Sequence, residues 1–343
     1  MEKRWSWDLL PAIECFPKKS RDWDAVNKKA GNHILLDSEF VGSLVRHFAG
    51  PNVLLAVSQD PEQPGMALVH SQRRGFWEIF TPSQAPLGPI VLGSPDPAGR
   101  QVRELMNCLP GFPVQLAILR QDPQWSAWFP LEEGSQLEAI EIMQTARIRL
   151  EGTFEEFWKA RSSNLRHNLN RQRRRLKEQG RTIELVTHTS AEAIPDCIRE
   201  FGRLESAGWK AELGTAVNEN NVQGRFYRDM FERFCGTGNT VIFQLLLDGK
   251  VVATDLCLLR EGMLVVLKTA YDESVQSLSP ALLMREDILR FIYSDRRYQV
   301  VEFYGRVLDW HLKWSSDTRP MYHLNQDRNL VVRKVRDLVR SMR

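Results

Sequence analysis

The chain contains no C-x-x-C pair, no H-E-x-x-H and no two histidines at i, i+4, and nowhere the roughly 18 consecutive apolar residues that would span a bilayer. Its five cysteines, Cys15, Cys108, Cys197, Cys235 and Cys257, are scattered and odd in number. That pattern excludes a disulfide framework, argues against structural zinc and fits a reducing compartment, so no metal is expected. The opening stretch MEKRWSWDLLPAIECFPKKS breaks every apolar run with charge. No secretory h-region is read there, and a cytoplasmic protein is expected. Residues 159 to 181 hold no aromatic side chain and no helix-turn-helix flanks them. A DNA- or RNA-binding regulator is thereby disfavoured.

Those last absences matter because the same stretch is the most basic of the chain. Around NLRHNLNRQRRRLKEQG, eight cations face only Glu178 between residues 161 and 181, a net +7, whereas all 343 residues sum to +3. Thr153 with Glu156 forms a capping-box pattern, Ser162 or Ser163 supplies a second N-cap, and Gly180 marks a stop. Leu165, Leu169 and Leu176 share one narrow helical face. The stretch reads as a helix with a leucine seam, its basic face either simply solvated or turned toward an anionic ligand.

With 43% apolar and 26% charged residues, the chain has the composition of a globular protein long enough for two domains. The second half predicts strands near 240–247, 250–259 and 263–271, joined by the hairpin dipeptides Asp248-Gly249 and Glu261-Gly262. A helix follows, with Ser279 as N-cap, Pro280 at its first position, and Leu282, Leu283, Ile288, Leu289 and Ile292 on its apolar face. A last strand, YQVVEFYG, ends at Gly305. The first half repeats this order: a helix near 38–49, strands NVLLAVS, MALVHSQ and FWEIF, a helix near 98–108, then FPVQLAILR, at offsets near 187 residues. Two tandem α/β (α+β) units are expected, each a mostly antiparallel sheet flanked by helices, with boundaries at 1–150, a basic interdomain helical segment at 151–182, and 183–343. In that last segment Val331, Val335, Leu338 and Met342 form a stripe of a basic C-terminal helix that either packs on its domain or lies on an anionic membrane.

The run WKAELGTA (Trp209 to Ala216), a meander ending in KTAYDE, and SP opening a helix occur in that order. Together they resemble the acetyltransferase-type domain of the CelD-like cellulose-biosynthesis proteins, a branch of the GNAT superfamily. The resemblance covers about 150–330, and more faintly the first half, as in the tandem-domain Fem-type transferases. It implies two GNAT-like domains and direct transfer of an acyl group, in the first instance acetyl, from acetyl-CoA or another acyl-CoA to an amine or hydroxyl. The acceptor it implies is an envelope or exopolysaccharide precursor, with peripheral membrane or polysaccharide-synthase association.

Such transfer needs a proton donor for the leaving thiolate and a base for the acceptor. Tyr271 is the candidate donor or else a core tyrosine. Glu205 is the candidate base, with Asp272 and Glu302 behind it. Lys268 and the helix start at Ser279, Ala281 and Leu282 would hold the donor's phosphates. Trp209, Lys210, Arg171, Arg174 and Arg175 would meet the acceptor or another anionic group. Two departures stand against this: the glycine-rich pyrophosphate loop is absent, and Ala281 replaces the glycine of Ser-Pro-Gly. The first half has the proline-rich FTPSQAPLGP where KTAYDE would fall and is expected to be non-catalytic. Alternatives are a Fem-like transferase using aminoacyl-tRNA, the one case in which nucleic acid is an expected partner, or a scaffold that retains the fold without the chemistry.

Overall fold

The computed structural model describes residues 6–93, 98–125, 137–206 and 217–329. The C-terminal stripe from Val331 to Met342 and the WKAELGTA run with Trp209 and Lys210 lie outside these residues. The chain forms two units: residues 1–144 with the segment from Pro320 onward, and Thr145–Arg319.

In the first unit, β1 (Trp7–Pro11), α1 (Ala12–Lys29), α2 (Ser38–Phe48), β2 (Leu54–Ser58), β3 (Gly65–Arg73), β4 (Phe76–Ile79), β5 (Ile90–Leu92), α3 (Ala98–Cys108) and β6 (Gln115–Gln121) follow in sequence. The chain continues through β7 (Leu137–Arg149), whose end enters the second unit. There follow α4 (Phe154–Lys159), α5 (Ser163–Glu178), β8 (Ile183–His188), α6 (Ile194–Ser206), α7 (Val222–Cys235), β9 (Thr240–Leu247), β10 (Lys250–Arg260), β11 (Met263–Tyr271), α8 (Pro280–Tyr293), β12 (Val300–Phe303) and α9 (Asp309–Leu312). Finally β13 (Thr318–Asp327) returns the chain to the first unit.

The expected repeat is present and longer than its sequence trace. Strands run in the order β1-β2-β3-β4-β6-β13 in the first unit and β8-β9-β10-β11-β12-β7 in the second. In both, the fourth and fifth strands are parallel and the neighbouring pairs are antiparallel. The sixth strands are exchanged: β7 pairs with β12 through Ala146–Arg149, and β13 pairs with β6. The unit boundary therefore falls at 144/145, not 150, and the residues from Pro320 join the first unit instead of ending the second.

The hairpin dipeptides act as expected. Asp248 and Gly249 have φ of 51° and 77°, and Glu261 and Gly262 have 48° and 83°, the left-handed pairs that match the twist of flanking strands. Thr153 and Glu156 form their capping box, and Ser162 Oγ accepts the Leu165 N–H. Helix α5 is not an interdomain segment but part of the second unit. Leu165, Leu169 and Leu176 are buried in one core cluster with α8 residues Leu283, Met284, Ile288 and Leu289 and with β9–β12. Arg173 on the same helix reaches Glu286 at 3.0 Å and Asp287 at 2.5 Å, Glu286 being almost wholly buried.

The arginines of α5 thus divide. Arg173→Ala leaves the Glu286 carboxylate buried with only the longer Arg290 contact, and we expect a loss of about 2 kcal/mol in urea unfolding, less than for a fully buried pair because Arg173 is partly exposed. Replacing the exposed Arg171, Arg174 and Arg175 by Gln should change stability by no more than about 0.5 kcal/mol.

Candidate active site

β11 and β12 pair in parallel only from Met263–Val266 to Val300–Phe303. One residue later, β11 carries a bulge: Val266 faces Cys257 of β10, Lys268 faces Leu256, and Leu267 is the extra residue between them. A bulge bends its strand, so β11 runs on to Tyr271 while β12 stops, and the two part. A cavity of about 730 Å³ opens between the end of β11, the start of α8, and the turn through α9. This is the crevice beyond the carboxyl ends of parallel strands, where open α/β sheets bind ligands.

The bulge also resets the side-chain alternation. Val266 points into the core beneath α8, and in a regular, unbulged strand Lys268, two positions on, would follow it there. Instead Lys268 turns to the other face, where its Nζ lies 3.1 Å from Glu205 Oε1 and 5.8 Å from the rings of Phe201 and Tyr227. Glu205 is buried and accepts a second bond from the Val217 N–H at 2.6 Å. Thr269 turns toward α8 and donates to Asp255 Oδ1 at 2.5 Å, while Asp255 Oδ2 lies 2.7 Å from Arg285 Nη2. Both members of that ion pair are buried, and burial raises the Asp255 pKa against the pull of Arg285 and Thr269.

Of the expected residues, Lys268, Tyr271, Ser279, Ala281 and Leu282 line the cavity. Tyr271 stands at the end of β11, 39% exposed. Glu205 sits one ion pair behind, through Lys268. Asp272 caps the turn at Glu273–Leu278, accepting from the Ser274 N–H at 3.0 Å and the Ser274 hydroxyl at 2.5 Å, bonds that lower its pKa. Its carboxylate thus has a structural use. Glu302 pairs with Arg319 at 2.8 Å. Arg171, Arg174 and Arg175 do not line the cavity; Arg171 bonds Asn168, whose side-chain amide reaches the Ser279 hydroxyl at 3.5 Å.

The start of α8 differs from the expected cap. Ser279 is left-handed, with φ of 56°, and its side chain caps nothing. Pro280 has no N–H, and the amides of Leu282 and Leu283 both donate to the Ser279 carbonyl at 3.0 Å. In the first turn the Ala281 amide remains to be offered to a ligand, a short cradle for a pyrophosphate.

Among the cavity residues that carry no expectation from sequence are Arg285, Trp310, His311 and Trp314. His311 stacks on Trp310 at 3.5 Å and its Nδ1 accepts the Leu308 N–H at 3.0 Å. Burial lowers its pKa to about 4, so at neutral pH the ring is uncharged and its proton is on Nε2. A signal for part of this set was present: Asp255 interrupts the apolar strand VVATDLCLL, and a buried acid needs a buried cation. The cavity lining holds four cations, Lys268, Arg285, Arg306 and Lys313, and no carboxylate.

The corresponding place in the first unit is closed. After β4, the FTPSQAPLGP segment is hydrogen-bonded onto β6: Arg120 donates to the carbonyls of Pro82 and Ala85, and the Gly88 N–H donates to Arg120 at 3.2 Å. A Cβ on Gly88 would stand 2.2 Å from the Leu119 carbonyl oxygen. A small cavity beside Gly88, lined also by Leu87, Gln121 and Asp122, holds only about 20 Å³. Among the described residues no group of three or more His, Cys, Asp or Glu could hold a metal ion, and no helix is long and apolar enough to cross a membrane.

Residues 163–312 match the family model described as an acetyltransferase (GNAT) domain, so the second unit carries a GNAT-type domain that includes the whole cavity lining up to His311. No curated protein matches the chain. Among solved structures it is similar to the C-terminal domain (DUF2156) of a putative lysylphosphatidylglycerol synthetase from Agrobacterium fabrum, at 14% identity and TM-score 0.57, over 92% of this chain and 96% of that one. L-PGS from Bacillus licheniformis aligns at 13% identity and TM-score 0.58, over 92% and 94%. FemX aligns at 9% identity and TM-score 0.57, over 92% and 98%. These likenesses show a shared fold.

The neutral His311 gives a pH signature. Its folded pKa of about 4 lies below the ordinary 6.5, so the unfolded chain takes up a proton that the folded ring does not. Stability from this group is complete above about pH 6.5 and falls as the pH drops toward 4, by up to about 3 kcal/mol. Urea unfolding between pH 7 and 4 should show a shallower loss in His311→Gln, whose side chain can still accept the Leu308 amide.

Proposed function

We propose that the second unit is an acyltransferase that moves an acyl group from coenzyme A to an amine or hydroxyl, by direct attack within the cavity between β11 and β12. The supporting observation is the opening itself: a bulge at Leu267 ends the pairing of the two strands and exposes the β11 edge from Leu267 to Tyr271. That edge offers backbone groups to an extended ligand, which can add to the sheet as a further strand. The cationic lining complements a phosphorylated donor, with Arg306 and Lys313 exposed toward solvent.

The residues support direct transfer over a covalent intermediate. Ser279 lines the cavity, but its hydroxyl meets the amide of Asn168, which cannot act as a base. In this mechanism the acceptor attacks the acyl carbon, the carbonyl electrons move to oxygen, and their return expels the thiolate, which takes a proton from Tyr271, while the proton the acceptor loses passes through water to restore the Tyr271 hydroxyl. Lys268 stabilises the negative charge that develops on the oxygen. Glu205 pairs with Lys268 at 3.1 Å and aims it, so we assign it as a positioning residue in place of the expected direct base. The CelD-like acceptor, an envelope or exopolysaccharide precursor, rests on the motif resemblance alone.

A second donor is favoured by one observation. The short amide cradle at α8 suits a pyrophosphate poorly, whereas Arg306 and Lys313 suit phosphates held at the mouth by side chains, as an aminoacyl ester on tRNA would require. Calorimetry with acetyl-CoA and longer acyl-CoAs, followed by a thiol-release assay over a panel of amines and sugars, separates the two. We expect acyl-CoA binding, with kcat falling about 100-fold in Tyr271→Phe at little change in KM. Absence of acyl-CoA binding together with salt-dependent aminoacyl-tRNA binding would transfer the assignment to the second donor, and binding of neither would end both.

A further inference from the structure

Two residues of the cavity lining carry hydrogen-bond donors that the protein leaves unused. Arg285 is 2% exposed and Trp314 0% exposed, both line the cavity, and neither Arg285 Nη1 nor Trp314 Nε1 has a hydrogen-bond partner. Such groups are costly to bury, about 1–3 kcal/mol each for a neutral donor and more for a charged one. Native proteins tolerate them chiefly where a ligand or water completes the bonding.

His311 offers a third donor on the same cavity lining. The His311 ring and the Arg285 guanidinium both lie 5.1 Å from the centre of the Phe303 ring. The Trp314 backbone N–H donates to the His311 carbonyl at 2.9 Å, which fixes Trp314 one turn on from His311. With Nδ1 of His311 engaged by the Leu308 amide, Nε2 is the ring's donor.

We propose that Arg285, His311 and Trp314 form a carboxylate-binding subsite in the wall of the cavity. All three groups donate and none accepts, which selects an oxygen-bearing ligand group with several lone pairs. A carboxylate offers about four acceptor positions on two oxygens and gains charge assistance from a guanidinium. Asp255 holds the other side of that guanidinium through Nη2, fixing the direction in which Nη1 points. The uncompensated positive charge of Arg306 and Lys313 favours entry of an anion. Two molecules could present this group: an amino acid, whose amine would then be the acceptor, or a dicarboxylic acid, whose second carboxyl would be the acyl end.

The inference rests on the cavity and not on the transfer reaction, so its test uses binding without donor or turnover. The full chain, labelled with 15N in tryptophan and histidine, is titrated with glycine, glutamate, succinate and glutarate, and in parallel with glycinamide and succinamide. The Trp314 indole signal is assigned by its loss in Trp314→Phe. We expect that signal and the His311 ring signal to shift saturably with carboxylates and not with the amides, the amino-acid and dicarboxylate series ranking the two sources. His311→Gln and Trp314→Phe, checked for folding by thermal melting, should each weaken carboxylate binding about tenfold. Equal binding of the amides, unchanged affinity in both folded variants, or no saturable shift with any carboxylate would overturn the subsite.

Discussion

One extra residue, Leu267, governs the second unit. A regular β11 would have kept pairing with β12 and closed the sheet, and would have sent Lys268 into the apolar core beneath α8. The bulge releases the strand edge, turns Lys268 to Glu205 on one face, and brings Thr269 to Asp255 on the other. Lys268 on one face of the strand and Asp255 of β10 on the other are thereby both given partners. The cavity follows from the same displacement, because the strands part where their pairing ends at Val266 and Phe303.

The repeated unit shows what that opening requires by showing it closed. The first unit has the same strand order and the same parallel fourth and fifth strands. Its segment after β4 is nonetheless bonded onto β6 through Arg120 and Gly88. The proline-rich run that replaces KTAYDE is therefore a plug. Prolines suit it because a segment without ladder partners of its own loses little by lacking N–H donors.

Much of the fold could be read where the signal was local. Asp248-Gly249 and Glu261-Gly262 fix hairpins by backbone geometry, and Pro280 opens α8 where expected. Elements whose pattern is interrupted escaped: α1 contains Pro17 in its interior and many charges, and β1 is short. The exchange of β7 and β13 could not be read, since it depends on pairings between residues more than a hundred positions apart, such as Phe303 with Ala146 and Asp327 with Gln115. In the site, Tyr271 and Lys268 were legible from the motif that ends β11. Asp272 lies beside them in sequence, yet a capping aspartate and a catalytic one look alike until Ser274 is seen on its carboxylate.

Arg285 escaped for a different reason. It sits in ALLMREDIL among residues that form the apolar face of α8, where sequence patterning assigns an arginine to solvent. Its burial becomes intelligible only with Asp255, and the pair is a poor stabiliser: two desolvated charges at 2.7 Å gain little over apolar residues of the same volume. Leaving Nη1 without a partner adds to that cost. A core built for stability alone would have used a leucine at either position. The same guanidinium contributes to the cavity of about 730 Å³ in the second unit, and it stands there with His311 and Trp314 as donors. The cost makes physical sense if the missing partner arrives with the ligand, because only then are the desolvated donors bonded.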